Sequence, residues 1–147
     1  MFNQTVHKFG YPQTLIREYD HWLVLVRPQQ VTAGSLILAA KSDATAYGQL
    51  PAQAFSEQAV AVAEIERALA RAVAFERINY LMLMMVDPHV HFHVIPRYSG
   101  SRWLAGLDLI DQGWPGPPDL KSAVALDGDS VAQMRSSLVS AWAEPKS

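Results

Sequence analysis

The chain has 147 residues, half of them hydrophobic, with a formal net charge of −2 at pH 7 and no cysteine. This length suits one globular domain spanning residues 1–147, and the slight negative charge argues against binding of DNA or RNA. The lack of cysteine excludes disulfides, thiolate nucleophiles and cysteine–zinc sites. Neither a leader-like N-terminus nor a membrane-length apolar stretch is present, so we expect a cytoplasmic protein without a membrane partner.

Two apolar runs in the first part of the chain predict two β-strands. Residues 22–26 and residues 35–39 are rich in Val, Leu and Ile, and a polar segment that contains Pro28 and Gly34 separates them. Such runs, bounded by turn-forming residues, are typical of strands that pair antiparallel across a loop.

The middle of the chain predicts a long amphipathic helix. Pro51 suits a first helical turn, where its missing N–H is not needed. Apolar residues then recur at steps of three and four, at Phe55, Ala59, Val62, Ile65, Leu69 and Val73. This spacing places one apolar face against a sheet.

Two further β-like runs follow the helix, at residues 78–85 and 90–95. Residues 86–89 form so short a connection that the two runs should pair as an antiparallel hairpin.

The last third of the chain predicts an irregular loop and then a helix. Glycine and proline concentrate at residues 113–118, after which Asp129 and Ser130 offer a helix N-cap. Helical spacing groups the apolar residues Val131, Met134, Leu138 and Trp142. Strands without regular strand–helix alternation favour an α+β fold, with an antiparallel β-sheet, a long central helix and a C-terminal helix.

Three histidines alternate with apolar residues from the end of the connection into the second strand of the predicted hairpin, at His89, His91 and His93. Side chains on a strand alternate between faces, so the three imidazoles should line one pocket, about 6.6 Å apart at neighbouring Cα atoms. Alternating histidines suit either nucleophilic chemistry or a zinc site. The spread of the outer pair is unfavourable for three ligands on one ion, which leaves a two-histidine metal site as the alternative.

The run His89-Val90-His91-Phe92-His93-Val94-Ile95, followed by Pro96-Arg97, resembles the signature of the histidine-triad superfamily. The resemblance extends over roughly residues 20–98. It implies an antiparallel sheet with two helices, frequently a homodimer, and hydrolysis or transfer of nucleoside monophosphates without a cofactor. The implied partner is a small nucleotide substrate, such as a nucleoside phosphoramidate or a dinucleoside polyphosphate.

The resemblance also implies roles for the three histidines. His91 corresponds to the nucleophile, which would form a covalent nucleotidyl-histidine intermediate. His93 would contact the phosphoryl oxygens or the leaving group, and His89 would support the site from the side. The short connection at residues 86–88 resembles a short-loop branch of the family.

Three other residues are candidates for substrate binding. Arg97 follows the histidine strand and either supplies a positive charge to a phosphate or is a solvated arginine. Asn79 either contacts substrate or satisfies the end of a strand. Arg27 stands where many family members have an asparagine that reaches the ribose. Besides a metal-independent enzyme, the sequence leaves open a metal-dependent hydrolase on two of the histidines and a non-catalytic nucleotide-binding protein.

Overall fold

The computed structural model describes residues 2–143 and contains a five-stranded antiparallel sheet flanked by helices. The sheet strands are β1 (Leu15–Glu18), β2 (Trp22–Val26), β4 (Leu36–Ala40), β5 (Arg77–Leu81) and β6 (His91–Arg97). Their order across the sheet is β1-β2-β4-β6-β5. The predicted α+β class with an antiparallel sheet is confirmed.

Within residues 2–143, three α-helices, two short 3₁₀-helices and four short strands complete the fold. The α-helices are α1 (Gln4–Lys8), α2 (Ala52–Val73) and α3 (Gly128–Trp142). The short strands pair as β3 (Gln29–Gln30) with β9 (Val124–Ala125) and as β7 (Ser101–Leu104) with β8 (Leu107–Ile110). None of the helices in residues 2–143 combines the length and apolar character that a membrane crossing requires.

Both faces of the sheet are covered, by different parts of the chain. Alternate residues of β2, β4 and β6 pack beneath α2 and α3, including Val24, Leu38 and Val94. The opposite face, which presents Leu25 and Ile37, is covered by Val6 of α1 and by the segment around it. Burial on two sides explains why β2 and β4 are continuous apolar runs without polar alternation.

The strand predictions are confirmed for β2 and β4, which lie at or within one residue of the predicted bounds and pair antiparallel. The antiparallel pairing of β5 with β6 is also confirmed. The predicted strand 78–85 is too long, because β5 ends at Leu81 and Met84 has a positive φ of 51°. Because β6 begins at His91, the connection is a nine-residue loop, residues 82–90. Within it, Met85 and Val86 are 83% and 84% exposed.

The helix predictions are confirmed with two corrections. In α2, Ile65, Leu69 and Val73 are buried as predicted, but Phe55 and Ala59 are exposed. The first turns of α2 instead bury Ala54, whose carbonyl accepts a hydrogen bond from the Trp22 indole at 2.8 Å. The predicted face of α3 is confirmed, although the side chain of Asp127 caps the helix, slightly earlier than predicted.

The region between β6 and α3 is more ordered than the predicted loop. It contains the β7–β8 hairpin, whose two-residue turn is Ala105-Gly106, with φ of 53° and 79°. Two consecutive positive φ angles are typical of the tight turns that join hairpin strands. The glycine- and proline-rich segment at residues 113–118 is irregular, as predicted.

A buried glutamine holds the connection between β2 and β4 in place. The Gln30 amide nitrogen donates to the carbonyls of Arg27 and Ser35, at 2.8 and 2.9 Å. Its amide oxygen accepts from the backbone N–H groups of Gly34 and Ser35, at 2.9 and 3.2 Å. Four bonds from one side chain therefore fix the backbone that carries Arg27.

Replacing Gln30 by leucine should destabilise the fold, because the Arg27 carbonyl and the Gly34 amide would lose this partner. An unsatisfied buried polar group costs about 1–3 kcal/mol, and two such groups are affected. Urea denaturation of Gln30→Leu should show this loss in the free energy of unfolding. Gln53→Leu, on the exposed face of α2, is the matched control and should change stability by less than about 0.5 kcal/mol. Equal stability of the two variants would contradict this account.

Candidate active site

A backbone carbonyl sets the orientation of the His91 ring. His91 is buried at the start of β6, and its Nδ1 lies 2.7 Å from the carbonyl oxygen of His89. A carbonyl can only accept, so Nδ1 carries the hydrogen and Nε2 keeps its lone pair. The structure therefore presents His91 in the tautomer that a nucleophile requires.

Val90, the residue between these two histidines, is anchored through both its backbone N–H and its backbone carbonyl. The Val90 N–H donates to the Ala44 carbonyl at 3.0 Å, and the Val90 carbonyl accepts from the Ala40 N–H at 3.0 Å. The Val90 side chain is buried in the core beneath α2. These contacts leave the neighbouring His89 carbonyl little freedom to turn away from His91.

His93 is held in the opposite tautomer by an arginine. The Arg27 Nε donates to His93 Nδ1 at 3.2 Å, so the neutral ring carries its hydrogen on Nε2. Burial, then the positive charge of Arg27 and the neighbouring His91, lower the pKa of His93 from 6.5 to about 4, and Asp87 opposes this shift. At neutral pH, His93 is therefore an uncharged hydrogen-bond donor.

The structure corrects the expectation that all three histidines share one strand face. His91 and His93 do, with ring centroids 5.1 Å apart. His89 precedes β6, and its Nδ1 lies 2.8 Å from the hydroxyl of Thr5 in α1. Because His89 is outside the strand, its ring lines a separate open groove with Phe2 and Asp43. It contributes its carbonyl, not its ring, to the contact with His91.

The N-terminal helix α1 supplies site residues that the sequence analysis missed. The ring centroid of Phe9, just after α1, lies 5.5 Å from that of His91 and 5.8 Å from that of His93. The Lys8 ammonium is 2.8 Å from the carboxylate of Asp87 in the 82–90 loop. The side chain of Asn3, which caps α1 by accepting from the Val6 N–H, was the available sequence signal for this helix.

Two cavities adjoin His93. The larger, of about 320 Å³, is lined by Lys8, Phe9, Arg27, Pro28, Gln29, Asp87, His93 and Leu120. The smaller, of about 180 Å³, is lined by His91, His93, Asp87 and the apolar residues 83–86. His91 thus opens onto the smaller cavity, whereas the basic residues line the larger one.

Solved structures with the same fold carry histidine-triad names. A histidine triad protein from Marinobacter aquaeolei VT8 matches with a TM-score of 0.72 and 19% identity, covering 94% of this chain and 93% of that one. One from Bradyrhizobium japonicum matches with a TM-score of 0.70 and 21% identity, covering 94% of each chain. The chain has the histidine-triad fold.

A hypothetical histidine triad nucleotide-binding protein from Sulfolobus tokodaii strain7 also matches, with a TM-score of 0.68 and 15% identity, covering 94% of this chain and 89% of that one. No protein-family sequence model and no curated protein sequence matches. At these identities the similarity establishes the histidine-triad fold, and it confirms the resemblance at that level.

Two of the predicted substrate-binding residues, Arg97 and Asn79, lie away from the cavities beside the histidines. Arg97 is buried at the end of β6, with Nε 2.7 Å from one oxygen of Asp111 and one Nη 3.1 Å from the other. Its guanidinium also donates to the side-chain oxygen of Asn79 at 2.8 Å and to the carbonyl of Gly116 at 2.8 Å. Arg97 thus contacts Asn79 and the 111–116 loop, and neither residue lines a cavity beside the histidines. Of the three candidates, only Arg27 contacts a histidine.

Metal coordination is the alternative use of the histidines. Across residues 2–143, no group of three or more histidine and carboxylate side chains is arranged to hold a metal ion. The guanidinium beside His93 would also repel a divalent cation.

The environment of His93 can be tested by NMR titration of its ring. We expect a pKa near 4 in the wild-type protein. Arg27→Gln should raise this pKa, because the variant removes the positive charge but leaves the burial that also lowers it. Arg17→Gln, which changes an exposed arginine on β1, is the matched control and should leave the pKa of His93 unchanged. A His93 ring that titrates above pH 6 in the wild-type protein would contradict the assignment.

Proposed function

We propose that this chain is a nucleotide hydrolase or nucleotidyl transferase in which His91 attacks phosphorus and forms a covalent nucleotidyl-histidine intermediate. One observation carries the proposal. The hydrogen bond between His91 Nδ1 and the His89 carbonyl, 2.7 Å long, leaves the lone pair on Nε2, at a cavity beside His93. The nucleotide-binding name of the Sulfolobus protein with the same fold supports this substrate class.

The first step forms a bond between His91 Nε2 and phosphorus and breaks the bond from phosphorus to the leaving group. The leaving group departs with the bonding electron pair and takes a proton from solvent. The His91 ring then carries a positive charge, which the His89 carbonyl stabilises by accepting from Nδ1–H. Water, or another acceptor, next attacks phosphorus, loses a proton to solvent and releases His91 in its starting form.

His93 acts in this scheme as a hydrogen-bond donor and not as an acid. Its lowered pKa keeps the ring neutral at pH 7, and a neutral imidazole does not readily give up its remaining N–H proton. The Nε2–H group can donate to a phosphoryl oxygen or to the leaving atom, where negative charge develops. Arg27 fixes the ring for this role, and we include it among the proposed site residues.

His89 is proposed to position His91 through its carbonyl, with its ring held by Thr5. We propose a homodimer, which the family resemblance implies, and a cytoplasmic location. The natural substrate class is proposed to be a phosphoramidate, a polyphosphate or a similar nucleotide conjugate.

Replacing His91 by asparagine should abolish the covalent step. Asparagine keeps a hydrogen-bonding group of similar size but has no ring nitrogen to attack phosphorus. We expect turnover of adenosine 5′-phosphoramidate to fall by about 10⁴–10⁶-fold. Mass spectrometry of acid-quenched wild-type protein should detect an added nucleotidyl group on the peptide that contains His91, and His91→Asn should lack it.

The matched control for this experiment is His7→Asn, in which an exposed histidine of α1 is changed. It should retain turnover and the labelled peptide. An adduct on His89 or His93, or near wild-type turnover by His91→Asn, would overturn the proposal. Nucleotide binding without any product in the wild-type protein would instead support a non-catalytic binding protein.

Turnover should also be independent of metal ions. The positive charge of Arg27 lies beside His93 and opposes a divalent cation at the two histidines. Adding a chelator such as EDTA should therefore leave the rate of phosphoramidate hydrolysis unchanged. Loss of activity on chelation, restored by zinc, would favour the metal-dependent alternative.

A further inference from the structure

Arg27 is a partly buried cation with no carboxylate partner. It follows β2, and its guanidinium donates through Nε to His93 and through one Nη to the Gln29 carbonyl at 2.7 Å. Among residues 2–143, no hydrogen bond engages its second Nη, and no carboxylate lies within ion-pair distance. Part of the guanidinium therefore faces the larger cavity without a partner.

The other charged groups of this cavity do not compensate Arg27. They are Lys8 and Asp87, whose side chains lie 2.8 Å apart and form an ion pair with each other. Two cations and one carboxylate thus line the cavity, and the uncompensated charge is that of the guanidinium. A cavity with this balance favours an anion.

Partial burial raises the free-energy cost of leaving the guanidinium without an anionic partner. Burial lowers the pKa of Arg27, and no neighbouring carboxylate raises it. A buried charge is ordinarily paired or satisfied by hydrogen bonds, and arginine suits phosphate because its N–H groups form two parallel bonds. A bound phosphate would supply the missing partner.

The cavity that Arg27 faces is different from the cavity onto which His91 opens. His91 lines the smaller cavity and is absent from the lining of the larger one. Arg27 also contacts Nδ1 of His93, whereas the proposed contact with the reacting phosphoryl group uses Nε2. The two nitrogens lie on different edges of the ring, so His93 separates the two sites.

We propose that the larger cavity binds a second phosphate group of the substrate, distinct from the phosphorus that His91 attacks, with Arg27 as its main contact. The substrate class is then a nucleotide that carries two phosphates, either a second one on the ribose or one further along a phosphate chain. Phe9, Pro28 and Leu120 line the same cavity and offer apolar contacts to the nucleoside. This inference refines the proposed function and rests on it for the position of the reacting phosphate.

Isothermal titration calorimetry can test the second phosphate without any turnover. The probes are AMP, adenosine 2′,5′-bisphosphate, adenosine 3′,5′-bisphosphate and ADP. A charge-assisted contact of this kind corresponds to about 10–100-fold in affinity. We expect at least one probe with two phosphates to bind wild-type protein tighter than AMP by this factor. The probe that does so distinguishes a ribose phosphate from a phosphate chain.

Variants then assign the preference to Arg27. In Arg27→Gln the preference over AMP should disappear, because the probe with two phosphates loses more affinity than AMP does. Arg27→Lys should restore part of the preference, because the charge is kept but the paired N–H groups are lost. Arg17→Gln, an exposed arginine on β1, is the matched control and should keep the full preference. Urea denaturation of each variant confirms that it is folded.

The inference is overturned if AMP and all three other probes bind wild-type protein equally, or if none of them binds. It is also overturned if Arg27→Gln weakens all four probes by the same factor, because Arg27 would then serve the phosphate common to them. These outcomes are separate from the proposed chemistry. A protein that prefers two phosphates but forms no His91 adduct would keep this inference and refute the covalent mechanism.

Discussion

The two backbone hydrogen bonds of Val90, one through its N–H and one through its carbonyl, are the constraint on which the site depends. They hold Val90 against Ala40, the last residue of β4, and against Ala44. The chain therefore bends at His89, before β6 begins. That bend directs the His89 carbonyl toward His91 Nδ1 and removes the His89 ring from the strand face. The same bend of the backbone therefore sets the tautomer of His91 and separates His89 from the other two histidines. A straight strand would give three equivalent imidazoles and no such distinction.

The second layer on the histidine face is built by the N-terminal segment and not by a long helix. Helix α1 has five residues, yet it brings Thr5 to His89, Phe9 to the other two histidines and Lys8 to Asp87. These contacts join the start of the chain to the 82–90 loop and enclose the imidazoles of His91 and His93 between them. A buried ring next to an aromatic wall is poorly hydrated, which strengthens the hydrogen bonds it makes.

The sequence predicted the parts of the fold that depend on local patterns, and missed those that depend on single contacts. Strands β2 and β4 followed from continuous apolar runs, the β5–β6 pairing from two neighbouring β-like runs, and the apolar face of α3 from helical spacing. Helix α1 is too short to show a period. The end of β5 depends on the backbone conformation of Met84, and the role of Arg97 depends on Asp111, a residue from a loop 14 positions away. The histidine signature located the site, whereas the partners of each imidazole came from parts of the chain that no local pattern connects.

Arg27 links the state of His93 to the charge of the larger cavity. Its guanidinium donates to Nδ1 of His93, and burial together with the charge of Arg27 lowers the pKa of that ring, so the ring stays neutral. The same positive charge faces the larger cavity, where it favours an anion. Because the guanidinium occupies Nδ1, the Nε2–H of His93 is the group left to contact the phosphoryl group proposed to react with His91. A single guanidinium therefore fixes the tautomer of the histidine beside the nucleophile and supplies the uncompensated charge of the neighbouring cavity.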